Sequence, residues 1–194
     1  MAYLTRQEAY EELNKLIKSP NLIKHHLACE ICMKALYRKL MPTSSQNEWD
    51  EEKWGIVGLL HDADYELSKN RPEKHTLILE QKIGTRLQPE VMYAIKSHNW
   101  QNTGIQPQSA MDWSIYSCDE LTGLIIAAAL IHPDKKLSSI TPDFVLNRFN
   151  ESSFAKGASR AQIRTCEEKL NIPLNDFIAI CLSSMQAISQ ELGL

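Results

Sequence analysis

The chain has 194 residues, of which 43% are hydrophobic and 23% are charged. These fractions are typical of a soluble globular protein and exclude a disordered chain, and the length is sufficient to bury one sizeable core. The 24 acidic and 21 basic side chains give a formal net charge of -3, which disfavours a general binder of nucleic-acid polymers or of anionic membranes.

Helix-start and helix-stop residues predict helices along nearly the whole chain. Thr5 and Glu8 have the spacing of a capping box and open the first helix. Ser109 opens the longest and most apolar helix, which we expect to be central and buried. Prolines occupy first turns or follow helix ends. The predicted helices cover, in chain order, about 5–19, 21–40, 48–60, 72–87, 90–97, 109–131, 141–149, 159–170 and 173–188.

The remaining segments do not suggest strands. Residues 63–71 and 99–108 are predicted to be irregular, and no run of alternating apolar and polar residues is bounded like a strand. We therefore predict an all-α fold of eight or nine helices that forms a single domain over residues 1–194. The apolar stripe between 174 and 188 is interpreted as core, with a homodimer face as the alternative.

The cellular compartment of the protein is predicted from its apolar runs and its cysteines. The longest uninterrupted apolar run, 124–131, is far shorter than the roughly 20 residues that span a bilayer. The segment 6–17 is mixed and charged, unlike a signal peptide. Five cysteines, an odd number, suit a reducing compartment without a disulfide framework. We therefore expect a cytoplasmic protein that does not insert into a membrane.

The strongest local signal is the pair His61-Asp62 at the end of an apolar helix, followed by Asp64. A neutral imidazole and a carboxylate are good ligands for a divalent transition metal. Both side chains can point into one cavity, because the chain leaves helical geometry at this point. For the dipeptide alone, a buried histidine paired with a neighbouring carboxylate is an equal alternative.

Other histidines and one aspartate favour the metal interpretation. His98 follows Val91 and Ile95 on an inward helical stripe, and His25 lies on a similar apolar stripe. Asp119 interrupts the most apolar helix, where a buried carboxylate needs a counter-charge or hydrogen-bond donors. A cation shared with inward histidines would supply that charge; a Lys, an Arg or a backbone N–H is the alternative partner.

In chain order, these residues resemble the ligand set of the HD-domain superfamily of metal-dependent phosphohydrolases: His25, His61-Asp62, His75, His98 and Asp119. Residues 58–62, Gly-Leu-Leu-His-Asp, are similar to the motif that names the superfamily. The small stand-alone bacterial hydrolases of HDIG type are the most similar group, although Ala63-Asp64 stands in place of Ile-Gly. The resemblance implies a metal-binding core at about 21–131, on which C-terminal helices within 141–192 pack.

The resemblance also implies one or two divalent ions per chain, with Fe, Mn, Zn, Ni, Co and Mg as candidates. The ligands implied for the first ion are His25, His61, Asp62 and Asp119. The ligands implied for a second ion are Asp62, His75 and His98. His26 is the alternative to His25 as the ligand from the first of these helices.

The activity implied by the resemblance is hydrolysis of a small phosphorylated molecule, such as a nucleotide. A bound metal lowers the pKa of water toward neutrality, and Asp62 or Asp64 would orient or deprotonate that water. An anionic substrate would need cationic contacts, for which Lys96, Lys156 and Arg160 are candidates, the last two near a predicted helix start. Solvated surface charge is the alternative for the 156–160 segment.

Two other functions remain open at this point. A di-iron oxygenase of the same superfamily would use the same six ligands, and a non-catalytic regulatory module would use metal or ligand binding only to stabilise a partner-binding surface. Cys29 and Cys32 are interpreted as core packing, because no second cysteine pair completes a zinc ribbon.

Overall fold

The structure, a computed structural model, describes residues 3–194. Within that range every regular element is a helix, so the all-α prediction is confirmed. Short 3-10 turns join some of the helices. The α-helices, in chain order, are α1 Arg6–Leu16, α2 Pro20–Leu40, α3 Glu48–Leu60, α4 Tyr65–Ser68, α5 Leu77–Ile83, α6 Pro89–His98, α7 Trp100–Thr103, α8 Ala110–Ile131, α9 Pro142–Asn150, α10 Arg160–Lys169, α11 Leu174–Ala187 and α12 Ser189–Leu192.

Helices α2 and α8 form the centre of the bundle. Helix α2 packs against α3, α8 and α11, and α8 also packs against α6 and α10. Buried apolar side chains from Leu4 to Leu192 form one core, which is compatible with a single-domain bundle. Phe177, Ile178 and Met185 of α11 are fully buried, so the core interpretation of that stripe is confirmed.

Helix α8 is long and apolar enough, by length and composition, to resemble a membrane span, and it is the one such helix within residues 3–194. Its apolar window extends well beyond the uninterrupted run 124–131. In the most apolar 18-residue window, 61% of the residues are buried inside the protein. The helix also carries Asp112, Asp119 and Glu120. The position of α8 in the centre of the core explains both its apolar character and the burial of its Asp112.

The predicted cap residues begin helices where the sequence places them. Thr5 and Glu8 form the expected capping box, and Ser109 caps α8 together with Asp112. Eight of the predicted helices start and end within three residues of the observed ones. The segments predicted to be irregular contain the one-turn helices α4 and α7.

The prediction of one continuous helix from 72 to 87 is wrong. The chain instead forms a 3-10 turn at Pro72–Lys74, then the seven-residue α5, then a second 3-10 turn at Gly84–Arg86. Between the first turn and α5, Thr76 adopts a left-handed backbone conformation with a φ of 71°. A non-glycine residue in this region is strained and needs compensating contacts.

The compensating contacts come from Asp64, which lies elsewhere in the sequence. Its carboxylate accepts hydrogen bonds from the backbone N–H of Thr76 at 3.0 Å and of Leu79 at 2.9 Å. These bonds satisfy donors at the start of α5 that a helix leaves without partners. A tertiary contact thus overrides the helical pattern and sets His75 outside a helix.

Helices α2 and α3 lie in close contact at Gly58. A Cβ atom added there would lie 2.5 Å from the carbonyl carbon and oxygen of Cys29. The absence of a side chain therefore lets α3 deliver His61, three residues later, close to α2.

We expect Gly58→Ala to destabilise the protein by about 1–3 kcal/mol, because the added methyl group must push two packed backbones apart. Denaturant unfolding followed by circular dichroism measures this change. Gly123→Ala is the matched control, because a Cβ at this exposed helical position meets nothing within 4 Å. The control should gain about 0.5–1 kcal/mol, and equal effects of the two substitutions would contradict the close approach.

Candidate metal centre

A cleft of about 600 Å³ opens over the ends of α3 and α6 and the middle of α8. A cleft of this size suits a small molecule. Uncharged polar side chains and two tyrosines form much of its wall. The histidines and carboxylates that line it are His25, Asp62, His75, His98, Asp119 and Glu120.

A first group of metal-binding side chains comes from three helices. His25 lies on α2, His61 follows the end of α3 and Asp119 lies on α8. The Nε2 atoms of the two histidines are 3.2 Å apart. Asp119 Oδ1 lies 3.1 Å from His25 Nε2 and 3.3 Å from His61 Nε2. Cys29 belongs to the same group. These side chains could hold one metal ion.

A second group lies beside the first and contains Asp62, His75 and His98. Asp62 Oδ1 lies 2.9 Å from His75 Nε2 and 3.2 Å from His98 Nε2. The two histidine nitrogens are 3.1 Å apart. The other carboxylate oxygen of Asp62 lies 3.8 Å from His61 Nε2. Asp62 therefore faces both groups, as a bridging carboxylate would.

Two of the histidines are fixed from behind by main-chain carbonyl groups. His61 Nδ1 lies 2.9 Å from the carbonyl oxygen of Gly58, and His98 Nδ1 contacts that of Ile95. A carbonyl oxygen only accepts hydrogen bonds, so each Nδ1 carries the proton. When Nε2 carries no proton, each ring presents the lone pair of that atom to the centre, which is the tautomer that binds a metal.

The other two histidines are fixed by side chains. His75 Nδ1 lies 2.7 Å from the Asp64 carboxylate. His25 Nδ1 lies 3.2 Å from Thr122 Oγ1, and that hydroxyl donates its own proton to the carbonyl oxygen of Asp119. All four rings thus have a partner behind and an Nε2 in front. This arrangement of supporting hydrogen bonds is the one that orients metal-binding histidines.

The charge balance of the cleft also fits a cation. No lysine or arginine among residues 3–194 lines it, whereas Asp62, Asp119 and Glu120 do. Burial alone lowers the pKa of His61, but Asp62 and other negative neighbours outweigh burial and raise it to about 10. Burial is likewise outweighed at His75, where Asp62 and Asp64 raise the pKa to about 10. The carboxylates therefore demand positive charge, which imidazolium rings or a metal ion can supply.

The structure places Asp64 behind His75, away from the cleft. Asp64 is fully buried, and its carboxylate accepts hydrogen bonds from His75, Thr76 and Leu79. The predicted role in orienting or deprotonating water is therefore corrected, because these partners leave Asp64 turned away from the open space. Its position makes it a positioning residue for His75, and Asp62 is the predicted catalytic residue that does line the cleft.

The predicted cationic contacts to substrate do not reach the cleft. Lys96 pairs with Glu80 at 2.6 Å, and Lys156 is exposed to solvent. Arg160 donates to several main-chain carbonyl oxygens, among them those of Phe154, Ala155 and Ala158 in the preceding loop. The charges of Lys96 and Arg160 are satisfied by local partners, so these two predictions are corrected, whereas Lys156 is exposed between two residues of the cleft wall, Ala155 and Gly157, without lining the cleft itself.

The helix start after residue 158 is also occupied from within the protein. The backbone N–H of Ser159 donates to Glu120 Oε2 at 3.0 Å, so a carboxylate already lies where an anionic ligand was predicted. The Ser159 side chain caps α10 as expected, accepting from Gln162. The helix start therefore contributes to the fold rather than to an anion site.

The sequence did not decide between His25 and His26 as a ligand, and it did not indicate that Cys29 and Thr122 belong to the site. Of the adjacent histidines, His25 joins the first group, whereas His26 is fully buried and neither of its ring nitrogens has a hydrogen-bond partner. Cys29 and Thr122 were missed as members of the site. The spacing of Cys29, four residues after His25 on one helix face, was the available signal.

Comparisons of the chain with protein-family models, with curated proteins and with solved structures gave no match. The assignment of the site therefore depends on its geometry and on the resemblance of its motifs.

We expect the protein to bind two divalent ions per chain, because each group offers at least three converging ligand atoms. The measurement is elemental analysis after loading and dialysis. The double variant His75→Ala/His98→Ala should retain one ion, and the control His132→Ala, a half-buried histidine outside the cleft, should retain two. Binding of at most one ion by the unaltered chain would contradict the second site.

We expect Asp64→Asn to lower the affinity of the second site by about 10–100-fold, because the group that orients a ligand is altered while the ligand remains. Titration calorimetry with Zn²⁺ or Mn²⁺ gives both affinities. The first site should be unaffected. A loss of activity with both affinities unchanged would instead favour direct participation of Asp64 in the reaction.

Proposed function

We propose that the chain is a metal-dependent phosphohydrolase of the HD-domain superfamily that hydrolyses a small phosphorylated molecule. The observation that carries the proposal is the meeting of two ligand groups at one cleft, joined by the carboxylate of Asp62. Two ions held by a shared carboxylate are the arrangement with which many enzymes cleave phosphate esters.

The donor set supports a transition metal. Four imidazole nitrogens and the carboxylates of Asp62 and Asp119 suit Fe, Mn, Zn, Ni or Co. Magnesium prefers oxygen ligands and keeps most of its waters, so we expect it to bind weakly here. When bound, the ions lower the pKa of water and neutralise charge on the phosphoryl oxygens.

The residues of the chain perform the remaining tasks. Asp62 faces both groups, with one oxygen 2.9 Å from His75 Nε2 and the other 3.8 Å from His61 Nε2, and would be the ligand that two ions share. His75 and His98 stand at the cleft wall, so the second group meets both solvent and substrate. Asp119 and His25 border the same space from α8 and α2, and the hydrogen bonds behind each ring keep the ligands in place before substrate arrives.

The wall of the cleft favours a monophosphate over a polyphosphate. With no lysine or arginine on the wall among the described residues, bound ions alone would balance the charge of the phosphate. Glu120 would repel further phosphoryl groups. The uncharged hydrogen-bonding groups available to the rest of the substrate are Tyr65, Asn99, Gln101, Asn102, Tyr116 and Gln162.

We expect the protein loaded with Mn, Fe, Co, Ni or Zn to release phosphate from at least one compound in a panel of phosphomonoesters and nucleotides. Asp62→Asn should reduce kcat by at least about a hundredfold, the scale of losing a positioned catalytic group. Lys96→Ala is the control and should leave KM unchanged, because Lys96 pairs with Glu80 outside the cleft. Filled metal sites without turnover of any substrate would contradict the proposal.

A di-iron oxygenase is the second candidate, and it is favoured because no lysine or arginine within residues 3–194 lies on the cleft wall. An uncharged substrate would need no such contacts. The same preparation, loaded with iron under anaerobic conditions, separates the two: consumption of O₂ together with a change in the iron spectrum would favour oxygenation, whereas release of phosphate with redox-silent metals favours hydrolysis.

A further inference from the structure

Cys29 lies at the first group of ligands, although its sequence context indicated only core packing. Its Sγ atom lies beside the His25 ring, 3.8 Å from Nε2 and 3.9 Å from Nδ1, and is 3.5 Å from Thr122 Oγ1. The ligand atoms of Cys29, His25, His61 and Asp119 all lie within 4.8 Å of one another. Cys29 follows His25 by four residues on α2, a spacing that places two side chains on the same helix face.

The separations within this group fit a shared metal ion. Metal bonds to nitrogen, oxygen and sulfur of about 2.0–2.3 Å place neighbouring ligand atoms roughly 3–4 Å apart. The three distances among His25, His61 and Asp119 are 3.1, 3.2 and 3.3 Å, and the contact of Cys29 with His25 is 3.8 Å. The separation between Cys29 Sγ and His25 Nε2 is therefore within the range of two ligands of one ion, and the other ligand atoms of the group lie within 4.8 Å of the sulfur.

The two groups differ in their access to the cleft. Cys29 and His61 are fully buried and belong to the inner side of the first group. The other two members of the first group, His25 and Asp119, line the cleft, as do all three members of the second group, Asp62, His75 and His98. A metal site in which every position is filled by protein is typically structural, whereas one with open positions is catalytic. With Cys29 as a fourth protein ligand, the first group would keep fewer open positions than the second group, all of whose members line the cleft.

We propose that Cys29 is a thiolate ligand that closes the inner side of the first metal site. This inference rests on the proposed metal centre. The thiolate and Asp119 together balance the charge of a divalent ion at the first site. The second site, with His75, His98 and the shared Asp62, keeps the positions that water and substrate use. A thiolate ligand selects borderline or soft ions, Zn, Co, Fe or Ni, over Mg and Mn at the first site.

Cobalt substitution tests the proposal, because a thiolate bound to Co²⁺ gives a sulfur-to-metal charge-transfer absorption in the near ultraviolet that histidine and carboxylate ligands do not give. The full chain is stripped with a chelator, reconstituted with Co²⁺ without oxygen, and its bound cobalt is counted. We expect the absorption in the unaltered protein. We expect Cys29→Ser and Cys29→Ala to lose it and to bind Zn²⁺ at the first site at least about tenfold more weakly, the lower bound for altering a group that merely supports a ligand.

Cys32→Ala is the matched control. Cys32 is equally buried on the same helix, but its sulfur contacts the main-chain carbonyl of Cys181 rather than the ligand group. This variant should keep the absorption, which separates the loss of a ligand from the general effect of a cavity in α2. Cys29→Ser adds a second test with little change in volume, should Cys29→Ala fail to fold.

The possible results separate this inference from the proposed function. Two cobalt ions per chain without the absorption would overturn the role of Cys29 and leave the metal centre intact. Persistence of the absorption in Cys29→Ser would also overturn it, because another thiol would then be the source. Failure of the unaltered chain to bind cobalt would overturn both the metal centre and the role of Cys29.

Discussion

The site depends on the close packing of electron-rich atoms, namely histidine nitrogens and carboxylate oxygens. Nε2 atoms of paired histidines lie 3.1–3.2 Å apart and face the carboxylates of Asp62 and Asp119. Neutral lone pairs and carboxylates at such distances repel one another unless positive charge lies between them. Each ring is nonetheless held in place by a hydrogen bond from its other nitrogen. The protein thus fixes an arrangement that only a cation or added protons can stabilise.

Two local features that act against helix propensity accompany this requirement. The left-handed Thr76 interrupts a segment whose sequence favours a helix, and Asp64 stabilises the interruption while orienting His75. Gly58 removes a side chain where α3 must lie against α2, and its carbonyl group fixes His61. Local departures from the preferred conformation are expected where function competes with helix propensity. Both departures here occur within a few residues of a histidine of the site.

Much of the fold could be predicted because helix ends are encoded locally. Caps such as Thr5 and Ser109, and prolines in first turns, depend on residues within one turn of each other. His25, His98 and Asp119 could also be found, because polar groups on apolar helix faces are conspicuous. The break at Thr76 could not be predicted, since its cause is a carboxylate twelve residues earlier. Lys96 and Arg160 were misassigned because the partners of long cationic side chains are set by tertiary contacts.

The positions of the basic side chains have a chemical consequence for the cleft. Arg160 is used to hold a loop and Lys96 to pair with Glu80, so neither offers charge to a ligand. Without an ion, only protonated histidine rings among the described cleft residues could balance the negative charges of Asp62, Asp119 and Glu120. A bound metal replaces those protons with charge that has open coordination positions. The bound metal would then both attract an anionic substrate and activate water. Substitution of a side chain distant from the metal would therefore not separate substrate binding from catalysis in this cleft.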